Sequence, residues 1–194
     1  STLLASSAAS DVYKRQFKTS PVTGLWFNIY GGYQDLKNNL ASAAIANYSG
    51  SYLQLLQGNM HNIYAGAEAS YSYKDIISFT ASGIYRDWKT AKTENNSGDQ
   101  LLYYMPSFEA NFKVDIRPVS SVLINLGYQH ITREKIGNER VDPVGNLYLG
   151  GSYEVFEGIS IYVRANNLLN KDYQYYPGYP TEGINFMGGV SFRF

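Results

Sequence analysis

The chain has 194 residues and carries 16 basic and 16 acidic side chains, so its formal net charge is zero. A balanced charge gives no field that attracts nucleic acid, and the lack of cysteine excludes disulfide frameworks and thiolate metal sites. The 19 tyrosines and 18 glycines favour β-structure and membrane interfaces over a helical bundle. No run of about 20 apolar residues occurs, but a spanning strand needs only about 9–11 alternating residues, so this does not exclude a membrane protein.

The first residues differ in character from the rest. Residues 6–16 read Ser-Ser-Ala-Ala-Ser-Asp-Val-Tyr-Lys-Arg-Gln, which resembles an in-frame translation of the transposase adapter used to build sequencing libraries. We therefore predict that residues 1–16 are a non-native, disordered segment, and that the natural protein continues upstream of Phe17. The alternative is a genuine disordered N-terminus rich in serine and alanine. Residues 17–194 are predicted to form the folded part.

From Leu25 onward, apolar and polar residues alternate in runs that are separated by turn residues, which is the period of a β-strand. The clearest run alternates Phe108, Ala110, Phe112, Val114 and Ile116 with polar residues. The pattern predicts eight strands, over residues 25–34, 62–73, 77–86, 104–117, 122–128, 147–155, 159–165 and 184–194.

The connections between these runs alternate in length. Short turns are predicted at residues 74–75, 118–120 and 157–158, and long polar or Gly/Pro/Tyr-rich loops at 35–60, 90–100, 132–143 and 170–183. Transmembrane β-barrels have short turns on the periplasmic side and long loops outside. We therefore predict an all-β fold, an antiparallel up-and-down meander of about eight transmembrane strands that forms a partial β-barrel.

Aromatic residues provide a second indication. On the apolar faces they lie near strand ends, while alanine, isoleucine, leucine, valine and glycine fill the strand middles, as in the aromatic girdles of a lipid-facing surface. The alternative is a soluble barrel or sandwich with the same faces turned into a core, which would need aromatics at the core centre.

The alternation also predicts which way each side chain points. We expect Ala110, Phe112 and Val114 to touch lipid. Their polar neighbours should point inward and line a hydrated lumen or pack against a plug; the inward set includes Asn111, Glu68, Arg86, Lys113, Asp115, Arg117, Arg164 and Arg193.

The last 35 residues or so resemble the C-terminus of TonB-dependent outer-membrane receptors. The resemblance consists of an Asn-Leu-Leu-Asn-Lys-Asp-Tyr block at 167–173, a Tyr-Pro-Gly-Tyr-Pro loop at 176–180, and a final Gly-Val-Ser-Phe-Arg-Phe strand at 189–194. Many members carry Pro-Gly-Arg before the last strand, whereas this chain has Thr181-Glu182-Gly183-Ile184. The missing arginine affects assignment to a subgroup, not to the family.

This resemblance implies a receptor of the Gram-negative outer membrane that imports a small nutrient, with more strands, an N-terminal plug and a TonB-binding segment. The implied partners are outer-membrane lipid, the barrel-assembly machinery, the TonB system through a missing N-terminal part, and an unknown nutrient ligand. The terminal aromatics Phe192 and Phe194 resemble the signal that the assembly machinery recognises. We expect this chain alone to lack ligand transport.

Few residues suggest a ligand site or catalysis. Tyr173, Tyr175, Tyr176 and Tyr179 could stack on a ligand at the barrel mouth, and we name them as candidate ligand contacts. Only His61 and His130 could act as neutral-pH bases; they would need a nearby serine to form a hydrolase dyad, and we interpret them as interfacial or loop histidines.

Glu134, Glu139 and Asp142 share one loop but lack the regular ligand spacing of a calcium loop. We therefore predict no enzyme activity, no cofactor and no metal.

Two alternatives to the receptor stay open. The chain could be a complete eight-stranded outer-membrane barrel with a structural or adhesive role, or an outer-membrane enzyme. A segment of a larger barrel should leave its first strand, 25–34, and its last, 184–194, unpaired with each other. A continuous ladder between them would favour the complete small barrel.

Overall fold

In the computed structural model, the described residues are 10–47, 50–90, 102, 105–134, 142–176 and 179–193. Eleven strands occur in these residues. They are β1 (Ser10–Val22), β2 (Leu25–Asn47), β3 (Gly50–Tyr73), β4 (Ile77–Thr90), β5 (Pro106–Val119), β6 (Val122–Arg133), β7 (Val144–Phe156), β8 (Ile159–Asn166), β9 (Gln174–Tyr176), β10 (Tyr179–Pro180) and β11 (Asn185–Phe192). Within the described part, no helix is long and apolar enough to cross a membrane.

Nine strands form one antiparallel sheet in the order β1-β2-β3-β4-β5-β6-β7-β8-β11, and β9 pairs with β10 in a small separate hairpin. Each strand of the large sheet pairs with its sequence neighbour, except that β11 returns past the small hairpin to pair with β8. This confirms the predicted all-β meander. In the described residues, β2 pairs with β1 and β3, and β11 pairs only with β8, so no ladder joins the predicted first and last strands.

The prediction that residues 1–16 lie outside the fold is wrong for residues 10–16. They belong to β1, which pairs with β2 from Ser10↔Leu36 to Val22↔Leu25. The physical reason is that a strand edge offers backbone N–H and C=O groups, and this pairing tolerates many sequences. Residues 1–9 lie outside the described residues, and the non-native origin of the segment stays a prediction.

A second correction concerns the predicted long loop at 35–60. The backbone continues as strand through β2 and β3, which pair from Leu25↔Tyr71 to Asn47↔Gly50 with one irregularity between Leu36 and Asn39. At roughly 3.3 Å per residue, strands of 23 and 24 residues exceed the 9–11 residues that cross a membrane. If the sheet crosses a membrane as predicted, part of this hairpin extends beyond it.

The predicted tight turn at 74–75 is confirmed. Lys74 and Asp75 have φ values of 49° and 55°, and the Ile76 amide donates to the Tyr73 carbonyl at 3.0 Å. Positive φ at both central residues matches the type I′ turn, whose twist suits a hairpin. The turn after β1 uses Gly24 at φ 83°, where a Cβ would meet the Ser72 carbonyl oxygen at 2.2 Å. Only glycine fits there without movement of the backbone.

Because paired residues point to the same side of a sheet, the register defines two continuous faces. On one face, which we call the outward face, a row runs from Phe27 across the strands to Phe112 and Tyr128. Its large apolar side chains are exposed, including Phe112 at 54% and Phe186 at 80%, and also Ile29, Ile63, Tyr85 and Val163. No second large sheet covers this face in the described part, so a sandwich core is not formed.

The opposite face, which we call the inward face, brings tyrosines directly onto glycines. The cross-strand pairs are Tyr30↔Gly66, Tyr64↔Gly32, Tyr148↔Gly127 and Tyr162↔Gly189. A Cβ at Gly127 would lie 2.3 Å from the Tyr148 ring, and one at Gly66 would lie 2.5 Å from the Tyr30 ring. The rings therefore occupy the space that a side chain at each glycine would need, in the way that aromatic residues cover strand glycines.

Candidate functional site

The inward face carries a continuous polar row across six strands. Asn28 of β2 pairs with Glu68, which pairs with Ser82, and the row continues through Asn111, Gln129 and Asn146. Each strand contributes one inward polar side chain to this row, and the register of the sheet aligns them. The row is therefore a feature of the paired strands and not of any single strand. The predicted inward direction of Asn111, Lys113 and Asp115 agrees with this register.

Charged side chains extend this row as local pairs. Arg86 of β4 and Glu109 of β5 form an ion pair that is less than a third exposed. Lys113 and Asp115, two residues apart on one face of β5, approach at 2.8 Å. Arg164 lies over the Tyr148 ring at 4.0 Å. The inward face is therefore polar and internally paired, as a water-filled lumen or a polar filling would require.

Several buried polar atoms on this face lack a hydrogen-bond partner among the described residues. They are Asn28 Oδ1, Asn62 Oδ1, Asp115 Oδ1 and Arg133 Nη1. In folded proteins such groups almost always have a protein or water partner. The inward face therefore offers three acceptors and one donor to whatever fills the space above it.

Near the end of β4, the inward face holds a small apolar cluster. Met60 and Trp88 are buried, and Leu36, Leu102 and Met105 pack against them. The Trp88 indole donates to the Pro106 carbonyl at 2.9 Å. Leu102 and Met105, which follow β4 in the chain, therefore lie over the inward face.

The loop between β8 and β11 is organised by Asn167. This residue is 1% exposed and has a φ of 51°, a left-handed conformation that asparagine tolerates better than most residues. Its side-chain amide donates to the carbonyls of Lys171 (2.9 Å) and Glu182 (3.1 Å), and its Oδ1 accepts from the Lys171 amide at 3.1 Å. The Asn146 side chain accepts the backbone amide of Asn167 at 2.9 Å. The asparagine block therefore ties both ends of the loop to β7.

This loop positions the candidate tyrosines unequally. Tyr173 is 4% exposed and meets Tyr175 edge-on, with ring centroids 5.5 Å apart. Burial, together with the neighbouring Tyr175, raises the pKa of Tyr173 to about 12. Tyr175 donates its hydroxyl proton to Gln129 on the inward face at 2.8 Å. Tyr179 is 75% exposed, and the side chain of Tyr176 lies outside the described residues.

The four tyrosines thus divide into roles that the sequence did not separate. Tyr173 packs inside the loop and supports it, whereas Tyr175 and Tyr179 line a cavity of about 570 Å³. Whether any of them contacts a ligand stays a prediction. Sequence reasoning did not single out Arg133, which also lines this cavity. The alternation in β6 could have indicated its inward direction, because Arg133 lies on the same side of the strand as Gln129 and Ile131.

Both histidines lie on the outward face among aromatic rings. His61 lies 5.9 Å from Tyr33, and His130 lies between Phe108 and Tyr128, at 6.2 and 6.3 Å between ring centroids. The hydrogen bonds of the described residues include none between either histidine and a serine. Residues 135–141, with the candidate acidic residue Glu139, lie outside the described part; elsewhere the structure has no cluster of three potential metal ligands.

Of the two predicted assembly residues, Phe192 is described and Phe194 is not. Phe192 pairs with Ile159 and is 60% exposed on the outward face. Its role in recognition by the assembly machinery stays a prediction.

No protein-family model matches the sequence, and the comparison with curated proteins gives no significant match. Solved structures do match the fold. The copper transporter OprC superimposes with a TM-score of 0.72 at 17% identity, over 95% of this chain and 31% of its own. The siderophore receptor PirA of Acinetobacter baumannii gives 0.69 at 12% identity, over 95% and 32%. The outer-membrane expressed OmpT of Vibrio cholerae gives 0.62 at 11% identity, over 95% and 56%.

These matches extend over nearly the whole chain, so the sheet has the fold of the barrel wall in these proteins. The chain spans about a third of the length of the transporter and the receptor. At this level of identity the likeness concerns the fold, and it confirms the partial barrel that the alternating pattern predicted.

Proposed function

We propose that the chain is the C-terminal part of the barrel of a TonB-dependent outer-membrane receptor, which imports a scarce nutrient with energy relayed from the inner membrane. Two features together support this proposal, the partial match to a receptor barrel and the sequence of the last strands. The sheet matches the barrel of a siderophore receptor over 95% of this chain but only 32% of that receptor, and its last strands carry the asparagine block and the aromatic ending.

The exposed apolar outward face supports a location in the outer membrane. Ile29, Phe112, Val163 and Phe186 would meet lipid there, since a soluble surface rarely exposes such a continuous apolar area. In a barrel, every backbone group is paired within the wall, and this allows strands to cross the membrane. We propose outer-membrane lipid, the barrel-assembly machinery and the TonB system as partners on the same grounds.

The polar inward face supports a transport role over a purely structural one. A narrow barrel of eight strands is filled by its own side chains, whereas a wide barrel encloses a lumen or a plug. Here the inward tyrosines pack directly onto glycines of the neighbouring strands, which keeps their rings close to the wall. Unpartnered polar atoms such as Asn28 Oδ1 and Asn62 Oδ1 suit a polar filling.

The second candidate is a complete small barrel with a structural or adhesive role. It is kept because the chain also matches the outer-membrane expressed OmpT, of which it covers 56%. The open order of the nine-stranded sheet argues against it, since β1 and β11 do not pair with each other in the described part. No enzymatic role is proposed.

Reading the gene upstream of the codon for Phe17 tests the proposal first. We expect further strand hairpins and a plug-like domain. A signal peptide that immediately precedes this codon would contradict the receptor and favour the small barrel.

Uptake assays in the natural host then test the function itself. Deleting the complete gene should abolish growth on one limiting nutrient, and deleting the host's TonB should have the same effect. Ferric chelates, cobalamin and glycans are the nutrients to compare. Unchanged growth of the deletion strain on every one of these nutrients would refute the proposal. The outer-membrane fraction of that strain is checked to verify that the protein is absent.

A further inference from the structure

Arg133 is a buried cation without a carboxylate partner in the described part of the chain. The residue is 5% exposed at the end of β6. Its Nη2 donates to the carbonyls of Gln174 and Tyr175, at 3.0 and 2.8 Å. These carbonyls carry no net charge, so they orient the guanidinium but do not neutralise it. A buried charge normally has a counter-charge or a full set of hydrogen bonds.

The nearby carboxylate does not fill this role. Glu109 also lines the space next to Arg133, but it is engaged in the ion pair with Arg86. The other terminal nitrogen of Arg133, Nη1, has no hydrogen-bond partner among the described residues. The guanidinium is therefore held in place on one side and left with unused donors on the other.

A cavity of about 570 Å³ adjoins this group. Arg133 lines it together with Glu109, Ile131, Tyr175, Tyr179 and Thr181. Its volume falls within the range of small-molecule sites, about 300–1,000 Å³. Tyr179 is 75% exposed and lies on the hairpin that covers the cavity, so its hydroxyl is available as a further donor.

We propose that Arg133 and this cavity form a binding site for a small oxyanion. The planar guanidinium matches carboxylate and phosphate groups in charge and geometry, and the two loop carbonyls fix its plane before the ligand arrives. The inference rests on the proposed function, because it assigns an anionic class to the imported nutrient. It also gives the small β9–β10 hairpin a role, since its backbone holds the binding group.

Calorimetric titration of the full-length protein that contains this chain, purified in detergent micelles, tests the site. The probes are citrate and inorganic phosphate, each compared with chloride at equal ionic strength. We expect at least one oxyanion to bind. Binding of citrate alone would identify a carboxylate ligand, and binding of phosphate alone a phosphate ligand.

Two matched variants locate the binding. Arg133→Gln should weaken it at least tenfold, whereas Arg117→Gln, which removes an exposed arginine at the end of β5, should change it less than twofold. If Arg133→Gln does not fold, Arg133→Lys keeps the charge but loses the fork, and should weaken binding several-fold.

Equal weakening by the Arg133 and Arg117 variants would refute the site, because it would show general attraction to positive charge. Failure of the folded wild-type protein to bind either anion would refute it as well. The titration requires neither transport nor TonB, so a negative result leaves the proposed receptor function standing. Conversely, unchanged growth after the gene deletion would refute the proposed receptor function and would leave the binding result as it is.

Discussion

The two faces of the sheet are built from the same strands but obey opposite rules. The outward face carries exposed apolar side chains such as Phe112, and small residues such as Ala67, Ala81 and Gly83 lie between its large ones. The inward face carries charges in pairs and rings that lie on glycines. The outward face should therefore tolerate large apolar side chains but not charges. The inward face should tolerate charges but not additional side-chain atoms at its glycines. Substitutions of one kind on both faces can therefore test the account.

The largest difference should come from a charge at neighbouring positions of β5. Phe112→Arg places a cation on the outward face, where a charge near the membrane centre costs roughly 2–4 kcal/mol. Asn111→Arg places the same cation on the inward face, next to Ser82 and Gln129, and should cost little. Urea unfolding of the protein in lipid vesicles measures both. Equal tolerance of the two variants would show that the faces are assigned the wrong way round or not at all.

A methyl group should have the reverse preference. Gly127→Ala would place a Cβ 2.3 Å from the Tyr148 ring and force that ring off the sheet, away from its contact with Arg164. We expect a loss of roughly 1–3 kcal/mol of unfolding free energy, as in other overpacked sites.

The matched control is Gly151→Ala on the outward face, where the nearest atom to the new Cβ is 3.7 Å away. Glycine in a strand interior costs about 0.5–1 kcal/mol relative to alanine, so this variant should be neutral or slightly more stable. The same unfolding experiment decides. A destabilised Gly151→Ala beside an unaffected Gly127→Ala would contradict the inward packing of tyrosine on glycine.

The smallest expected effect concerns two ion pairs. Glu109→Gln leaves the mostly buried Arg86 without its counter-charge, and we expect a loss of about 1–2 kcal/mol. Asp87→Asn breaks a pair with Lys89 at 3.1 Å whose side chains are 47% and 62% exposed, and such pairs contribute about 0–1 kcal/mol. Raising the salt concentration should reduce the second effect more than the first. An equal salt response would show that the inward pair is as hydrated as the exposed one.

Local signals in the sequence were sufficient for much of this architecture. The alternation of apolar and polar residues predicted β4 to β8. Lys74 and Asp75 indicated a hairpin turn, and both residues have the positive φ of such a turn. The asparagine block at 167–173 was singled out by the resemblance, and its Asn167 holds the loop after β8. These features depend on residues close together in the chain.

The features that were missed depend on distant residues. β1 forms because β2 offers it a free edge, which residues 10–16 do not reveal by themselves. The hydrogen bonds from Arg133 to the Gln174 and Tyr175 carbonyls require the loop after β8 to fold over β6, about 40 residues earlier in the chain. The sequence therefore predicts the sheet and its two faces. Arg133, the candidate binding group, is recognised only once the structure shows the loop after β8 in contact with it.

Single-cysteine labelling along β5 tests the central claim, the two-faced wall, most directly. The chain has no cysteine, so each residue from Phe108 to Ile116 can be replaced in turn without background. Labelled in lipid vesicles, the odd-numbered inward positions should react with a water-soluble maleimide. The even-numbered outward positions should instead carry probes that lipid-confined quenchers reach. Uniform reactivity along the strand, or alternation of the opposite phase, would contradict the account.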